Sequence, residues 1–386
     1  MSLERLILTK DTVETIKKGH PWVFRGGITN FEKKNLPVGS SVILVDEKNR
    51  HVAFGLVDSG DIIVRILGRQ PDKIPDIVRR RILLAYQLRT QLIPPHTNAY
   101  RLVNGEGDLL PGLVVDRYDR VLVLKIYASC WEIHLDAILD ALEAIPDIDC
   151  IFRRYGVRNV DGKVGGEVVS GSPIPETLII QEHGFQFLVR PNIGQKTGLF
   201  LDQRENRYCI GTKSRNLRVV NLFGYTGGFS VYAAMGGAQR VTTVDIAPEA
   251  IEDAKENFRL NGISVDAHVF ECADAFQWTS EDMNDLLICD PPSLSHDKKA
   301  DQRAAQAYGN LAYQCGKLIK KGGFLASSSC TSRISYAHWE KMIALGLKGT
   351  GQWTKLWSTQ NPPDHPVLST HPEGNYLKFA LFYRVL

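Results

Sequence analysis

The chain has 386 residues, of which 44% are hydrophobic and 23% charged, with a formal net charge of +3. That length exceeds one ordinary domain, the composition is that of a globular protein with several cores, and the mild positive balance permits a nucleic-acid partner without requiring one. No apolar run approaches the roughly 20 residues that cross a bilayer, and Met1–Lys10 lacks a secretory apolar segment, so no membrane is expected as a partner and the cytoplasm is the expected location. The seven cysteines (Cys130, Cys150, Cys209, Cys272, Cys289, Cys315 and Cys330) are scattered without metal-ligand spacing. Free thiols in a reducing compartment and no metal site are therefore expected.

Residues 1–70 carry short β-like runs at Ser41–Val45, Ala53–Val57 and Ile62–Ile66, separated by turn residues, which predicts a small β-barrel. Residues 71–177 mix patterns. Ile74–Leu92 has helical periodicity and contains Arg79–Arg81, Leu113–Ile126 reads as two strands joined at Tyr118-Asp119, Trp131–Ala144 reads as a helix, and Cys150–Arg154 as a further strand. This is a central α/β domain.

Residues 178–386 alternate strands and helices. Apolar, β-branched runs occur at Val219–Phe223, Arg240–Val244, Ala267–Glu271, Asp285–Cys289 and Gly323–Ser327. Helical stretches include Phe229–Met235, Pro248–Asn261 and Ala304–Leu318. The alternation predicts a Rossmann-like parallel sheet with helices on both faces and a ligand beyond the carboxyl ends of the strands. The alternating tail Asn375–Val385 would add a final edge strand, which suits a seven-stranded sheet with one antiparallel member.

Chemistry-bearing residues collect at these strand ends. Phe223-Gly224-Tyr225-Thr226-Gly227-Gly228 leads from a strand into a helix, and its glycines allow a sharp turn and close approach of a ligand. The spacing is not the G-x-G-x-x-G of a pyrophosphate loop, which disfavours NAD or FAD. Asp245 ends the second strand, placed to accept hydrogen bonds from ribose hydroxyls; the alternative is a helix cap, although Pro248 makes Ile246 or Ala247 the nearer cap. Asp274, with Ala275 beside it, could accept from an adenine amino group while Ala273 or Phe276 covers the ring, or it is a surface acid. Together these features fit an adenosine without phosphates, and S-adenosylmethionine is the expected cofactor.

The fourth strand delivers Asp290-Pro291-Pro292-Ser293. Two prolines fix an extended exit that aims the Asp290 carboxylate over the crevice, towards the polar edge of a planar base. The fifth strand delivers Cys330. Pyrimidine C5 is a poor nucleophile, and a thiolate adding to C6 turns the base into an enamine that can take a methyl group at C5. Cys330 is the candidate for that thiolate, with a small residue at a strand end as the alternative reading. Asp290 would stabilise charge on the base. Cys289 is a rival that strand alternation turns into the sheet's packing, and Cys209, Cys272 and Cys315 read as small core residues. Upstream, Asp202 and Glu205 have capping-box spacing, while Lys196, Arg204 and Arg207 are candidates for the methionine carboxylate or an RNA phosphate, with solvated charge as the alternative.

The run Gln195–Arg207, the loop Asn221–Gly228, Asp290-Pro291-Pro292-Ser293 and Ser329-Cys330 together resemble the RlmI-like class I family of bacterial 23S ribosomal RNA large-subunit methyltransferases. Gly19-His20-Pro21-Trp22-Val23-Phe24 is similar to the opening of that family's RNA-binding PUA domain, and Arg101–Asp108 with Pro111–Tyr118 to the start of its central domain. Asp364-His365-Pro366-Val367 and Tyr376-Leu377-Lys378 match near the end. The resemblance implies a class I methyltransferase domain after a PUA-type barrel, S-adenosylmethionine, a ribosomal RNA substrate and a Cys330 nucleophile forming 5-methylcytosine. Under this reading Phe223, Gly224, Tyr225, Thr226, Gly227, Asp245, Ile246, Asp274, Ala275, Asp290 and Pro291 face the cofactor. Pro292, Ser293, Lys196 and Arg204 face the substrate, and a homodimer is one possible assembly.

Trp22, Phe24 and Arg25 read either as an RNA surface or, for the two aromatics, as barrel core, and Arg79–Arg81, Arg153, Arg154 and Arg158 as phosphate contacts or solvated faces. The target base would be unpaired or flipped out. The rival functions are non-covalent methylation of guanine N7 or N2, and a non-catalytic RNA-binding role in ribosome assembly.

Overall fold

The structure, a computed structural model, describes residues 3–155, 165–192, 194, 198–294 and 301–386. The chain forms two compact units. One comprises Met1–His183, Val189–Leu201 and Pro363–Gly374, and the other Gly184–Leu188, Asp202–Pro362 and Asn375–Leu386.

In the first unit the N-terminal strands Glu4–Ile7, Ser41–Val45, His51–Val57, Ile62–Gly68 and Trp22–Phe24 pair in the order first, third, fourth, fifth, second by sequence. An antiparallel bridge from Leu8 to Ile28 joins the two edges, so the expected barrel forms. A second sheet contains Ala99–Asn104, Leu113–Tyr118, Val121–Ile126, Cys150–Arg154 and Gly166–Gly171. The helix Ile74–Leu92 lies where its periodicity predicts it. The helical run after Ser129 is divided, a 3₁₀ turn to His134 followed by an α-helix over Leu135–Glu143. Barrel and central sheet share one apolar core, in which Phe54, Leu56 and Leu67 join Ile77, Val78, Leu102 and Trp131.

The second unit holds the sheet that positions the candidate site. Its strands, among the described residues, are β1 (Arg218–Leu222), β2 (Arg240–Asp245), β3 (Val269–Cys272), β4 (Asn284–Cys289), β5 (Ile319–Ser329), β6 (Trp353–Thr359) and β7 (Lys378–Arg384). They lie in the order β3-β2-β1-β4-β5-β7-β6, with β1 to β5 parallel and β7 antiparallel to both neighbours. The helices are α1 (Arg204–Lys213), α2 (Gly228–Met235), α3 (Pro248–Leu260), α4 (Asp301–Lys317) and α5 (Tyr336–Lys348). On one face Tyr308, Leu311, Cys315, Trp339 and Ile343 pack against Leu287, Cys289 and Leu325. On the other, Phe229 stacks on Phe379 and Phe258 meets Phe270.

Three details depart from the sequence-based expectation. The tail strand β7 is not the edge: its continuous apolar run Phe379–Phe382 is buried on both faces between β5 and β6. The edge is β6, whose mostly exposed residues gave no strand signal. The third strand begins at Val269, because Val265–Ala267 is a 3₁₀ turn.

β1 lies between β2 and β4, and the chain leaves it for β2 on one side while β4 returns on the other. A crevice opens beyond the carboxyl ends at such a switch point. Every residue of β4 is buried, as expected of a strand covered on both faces.

Candidate active site

β1 runs into the glycine loop, which is conformationally unusual. Phe223 and Tyr225 have φ values of 58° and 47°, in the left-handed region that bulky side chains rarely adopt. Such backbone conformations persist where surrounding contacts fix them and cluster at ligand sites. Asp245 supplies one of those contacts: its Oδ2 accepts from the Tyr225 N–H at 2.8 Å and its Oδ1 from the Ala247 N–H at 3.0 Å. Gly227 also has positive φ (74°), and a Cβ there would lie 2.9 Å from Ala254 Cβ. α2 starts at the next residue without a side-chain cap. Thr226 is buried and its Oγ1 has no protein hydrogen-bond partner; a buried hydroxyl in that state fits a loop that closes on a polar ligand.

The neighbouring strand ends add an apolar rim. Ile246 is 70% exposed. Phe276 is also exposed and stands edge-on to Phe223, ring centres 4.8 Å apart. The Asp274 carboxylate accepts from the Phe276 N–H and from Gln277 Nε2, both at 2.9 Å, so it shapes the turn that presents Phe276. Ala275 packs in the core beneath, and Ala273 is partly buried against that core. A purine between exposed aliphatic and aromatic groups, with carboxylates at its edges, fits this arrangement.

At the ends of β4 and β5, Asp290 and Cys330 each stand one residue past their strand. Gln203 links the two strand ends: its Nε2 donates to Asp290 Oδ2 (2.9 Å) and to Ser328 Oγ (2.8 Å). Its Oε1 accepts from Asn206 Nδ2 (2.6 Å), and Asn206 Oδ1 accepts from Thr359 Oγ1 (2.6 Å). Gln203 and Asn206 are buried, and a satisfied buried network of this kind is rigid. Sequence reasoning assigned Gln203 no role. Cys330 is partly exposed. Beside it, Lys378 is 1% exposed and donates to Thr331 O (2.7 Å) and Tyr376 O (3.0 Å). Burial pushes its pKa down to about 8, against the opposing influence of Cys330. Tyr308 and Thr331 exchange a hydroxyl hydrogen bond of 2.8 Å, and Thr331 lies 3.2 Å from Ser293 Oγ, which ties the Pro-Pro-Ser loop to the Cys330 turn. Pro291 is buried and Pro292 exposed.

Other sequence-based assignments move. Cys289 is buried and its thiol pKa lies well above the ordinary range, through its contact with Cys315 and burial. Cys315 is core, but Cys272 is exposed and Cys209 only partly buried. Arg204 and Arg207 are not solvated charges, being 0% and 2% exposed. α1 begins after a 3₁₀ turn with Gln203 at its N-cap and no side-chain cap bond, in place of the Asp202–Glu205 capping box; Asp202 accepts from Tyr376 Oη at 2.6 Å. Lys196 and Arg158 lie outside the described residues.

In the first unit, Trp22 and Phe24 are not barrel core: Val23 points inward, Phe24 is exposed, and Trp22 Nε1 donates to Glu106 at 2.8 Å. Arg81 bonds the carbonyls of Leu67 and Leu109, Arg80 pairs with Asp72, and Arg153 pairs with Glu132. Among the described residues no helix is long and apolar enough to cross a membrane.

Comparison with known proteins agrees with this fold. Residues 6–69 match the PUA-like domain and residues 101–342 the S-adenosylmethionine-dependent methyltransferase family. A ribosomal RNA large subunit methyltransferase of Deinococcus radiodurans is 36% identical, covering 99% of this chain and 97% of that one. Ribosomal RNA large subunit methyltransferase I of Cronobacter sakazakii is 33% identical, covering 97% and 98%. The fold matches the crystal structure of a methyltransferase complexed with SAH (TM-score 0.86, 24% identity, covering 98% of this chain and 100% of that one). It also matches a methyltransferase from Streptococcus mutans (TM-score 0.84, 24% identity, the same coverage). A PUA-like barrel, a β3-β2-β1-β4-β5-β7-β6 sheet with its ligand loop after β1, and relatives that align from end to end converge: the chain is an S-adenosylmethionine-dependent methyltransferase and belongs to the ribosomal RNA large subunit methyltransferase family.

Proposed function

We propose that the protein methylates C5 of a cytosine in 23S ribosomal RNA of the large subunit, through a covalent bond between Cys330 Sγ and C6. The observation that carries this reading is the pairing of a partly exposed thiol with a fixed carboxylate at the ends of two adjacent parallel strands, bridged by Gln203. Ser328, two residues before Cys330, shares the Gln203 amide with Asp290.

The residues divide the work. Phe223, Gly224, Tyr225, Thr226, Gly227, Asp245, Ile246, Asp274, Ala275, Asp290 and Pro291 form the cofactor side, which supplies an electrophilic methyl group when S-adenosylmethionine is bound. Pro292 and Ser293 form the substrate side, whereas Arg204, fully buried and paired with Glu205, does not face the substrate. Cys330 adds to C6 and breaks the C5–C6 double bond, so C5 becomes nucleophilic. After C5 has gained its methyl group, loss of the C5 proton expels the thiolate and restores the aromatic ring. Asp290, held by Gln203, binds the N3/N4 edge and stabilises charge on the adduct. The barrel (residues 1–70) and the central domain (71–177) bind RNA, and a ribosomal substrate implies a cytoplasmic location.

Nucleoside mass spectrometry after incubation of unmodified 23S RNA with the protein and labelled S-adenosylmethionine tests the reading. It predicts label in 5-methylcytosine. Label in a methylguanosine instead would overturn the C5 assignment and leave the methyltransferase family untouched.

A further inference from the structure

We propose that His20, His371 and Glu373 form a Zn²⁺ site that clips residues 363–374 onto the N-terminal barrel, both parts of the same compact unit. One ring nitrogen of each imidazole and one oxygen of the carboxylate lie within 4.8 Å of one another. Two histidines and a carboxylate are a ligand set that Zn²⁺ accepts in a tetrahedron, with water in the fourth position.

The angles and distances fit that geometry. The two imidazole centres are 5.3 Å apart with planes at 89°. With Zn–N bonds of about 2.0–2.1 Å a shared metal would sit about 3.2 Å from each ring centre, and that spacing then subtends roughly 110°, the tetrahedral value. His371 Nδ1 and Glu373 Oε2 are 3.1 Å apart, close to the tetrahedron edge of about 3.3 Å for such bonds.

An ordinary ion pair accounts for this contact poorly. His371 is 2% exposed and its Nδ1 has no hydrogen-bond partner, so the nearby carboxylate does not satisfy it. A buried nitrogen in that state is a common mark of a bound ion or water. His20 has a backbone carbonyl beside its Nδ1, the kind of group that orients metal-bound imidazoles. Its Nδ1 lies 3.3 Å from both the carbonyl and the N–H of Trp22; in the tautomer whose Nδ1–H donates to that carbonyl, Nε2 is left to ligate. The Trp22 ring, fixed by its bond to Glu106, packs 4.3 Å from His371 and walls the site, while the Glu373 side chain is 60% exposed and leaves an entry path. The two histidines come from opposite ends of the chain, so no local spacing in the sequence reveals the site.

Other bonds hold the same segment: Thr370 Oγ1 donates to Gly19 O (2.8 Å) and Asn104 Nδ2 to Pro366 O (2.9 Å). Variants of the ligands should therefore fold. The test uses the full, untagged chain, stripped with a chelator and titrated with Zn²⁺ against a chromophoric competitor. It predicts one Zn²⁺ per chain with Kd at or below about 1 μM, weakened about 100-fold or more in His371→Phe and roughly tenfold in Glu373→Gln. Co²⁺ should give the intense visible bands of a four-coordinate site. Absence of such binding, or unchanged affinity in either folded variant, overturns the proposal. Circular dichroism checks folding, and should His371→Phe unfold, the exposed Glu373 position decides alone.

Discussion

Arg65, Arg89 and Arg101 of the first unit are each met by a carboxylate, whereas Asp245 at a strand end of the second is met by backbone N–H groups. Arg89 is 0% exposed, bonded to both oxygens of Asp108 (2.5 and 2.7 Å) and to the carbonyls of Arg101 and Asp364. Arg65 pairs with Asp58 at 2.6 Å and Arg101 with Asp116 at 2.5 Å. By contrast, Asp245 accepts two backbone N–H groups and Asp290 the amide of Gln203. Full ion pairs lock a scaffold, because removing either partner strands a buried charge. Neutral donors of the kind that Asp245 meets fix a carboxylate without cancelling its charge.

Substitutions can break that contrast. The largest expected effect is on chemistry: Cys330→Ala should lower methyl transfer at least about 1,000-fold while leaving S-adenosylmethionine affinity within about twofold, as for loss of a nucleophile that acts after binding. Isothermal calorimetry beside a methylation assay separates the two. Arg89→Met should cost about 3–5 kcal/mol of stability, since it leaves Asp108 buried and unpaired, and urea unfolding of the first unit would read it. A loss below about 1 kcal/mol would mean that the ion pair is not structural.

The smallest effect concerns Lys378. Its pKa falls from 10.5 to about 8 in the folded protein, so between these values the unfolded chain binds more protons than the native one. Stability contributed by this group therefore rises with pH across that window: the cost of burying the ammonium is present in full below about pH 8 and is relieved as pH approaches 10.5. Relative to Lys378→Met, the parent should gain stability from pH 8 towards 10.5. Parallel pH curves for the two would contradict the shift.

Much of this organisation is legible in the sequence where local signals are strong. Strand ends followed by Gly, Asp or Asp-Pro-Pro mark the carboxyl edge of the parallel sheet, and Ile74–Leu92 keeps helical periodicity from end to end. Contacts between distant segments are not legible. Gln203 reaches Asp290 and Ser328 across most of a domain, and Arg89 meets Asp364 from the far end of the chain. Lone cations mislead for the same reason: Arg81 and Arg204 read as ligand contacts or solvated charges until their carbonyl and carboxylate partners are in view. β6 escapes because an exposed edge strand carries little apolar pattern.

The most direct test of the covalent route uses 23S RNA carrying 5-fluorocytidine, with S-adenosylmethionine present. After methyl addition the C5 position holds fluorine in place of a removable proton, so the thiolate cannot leave and the adduct accumulates. The account predicts a denaturation-resistant protein–RNA complex, with peptide mass spectrometry placing the nucleotide on Cys330. Undiminished turnover with no adduct, or an adduct on a different residue, would contradict it.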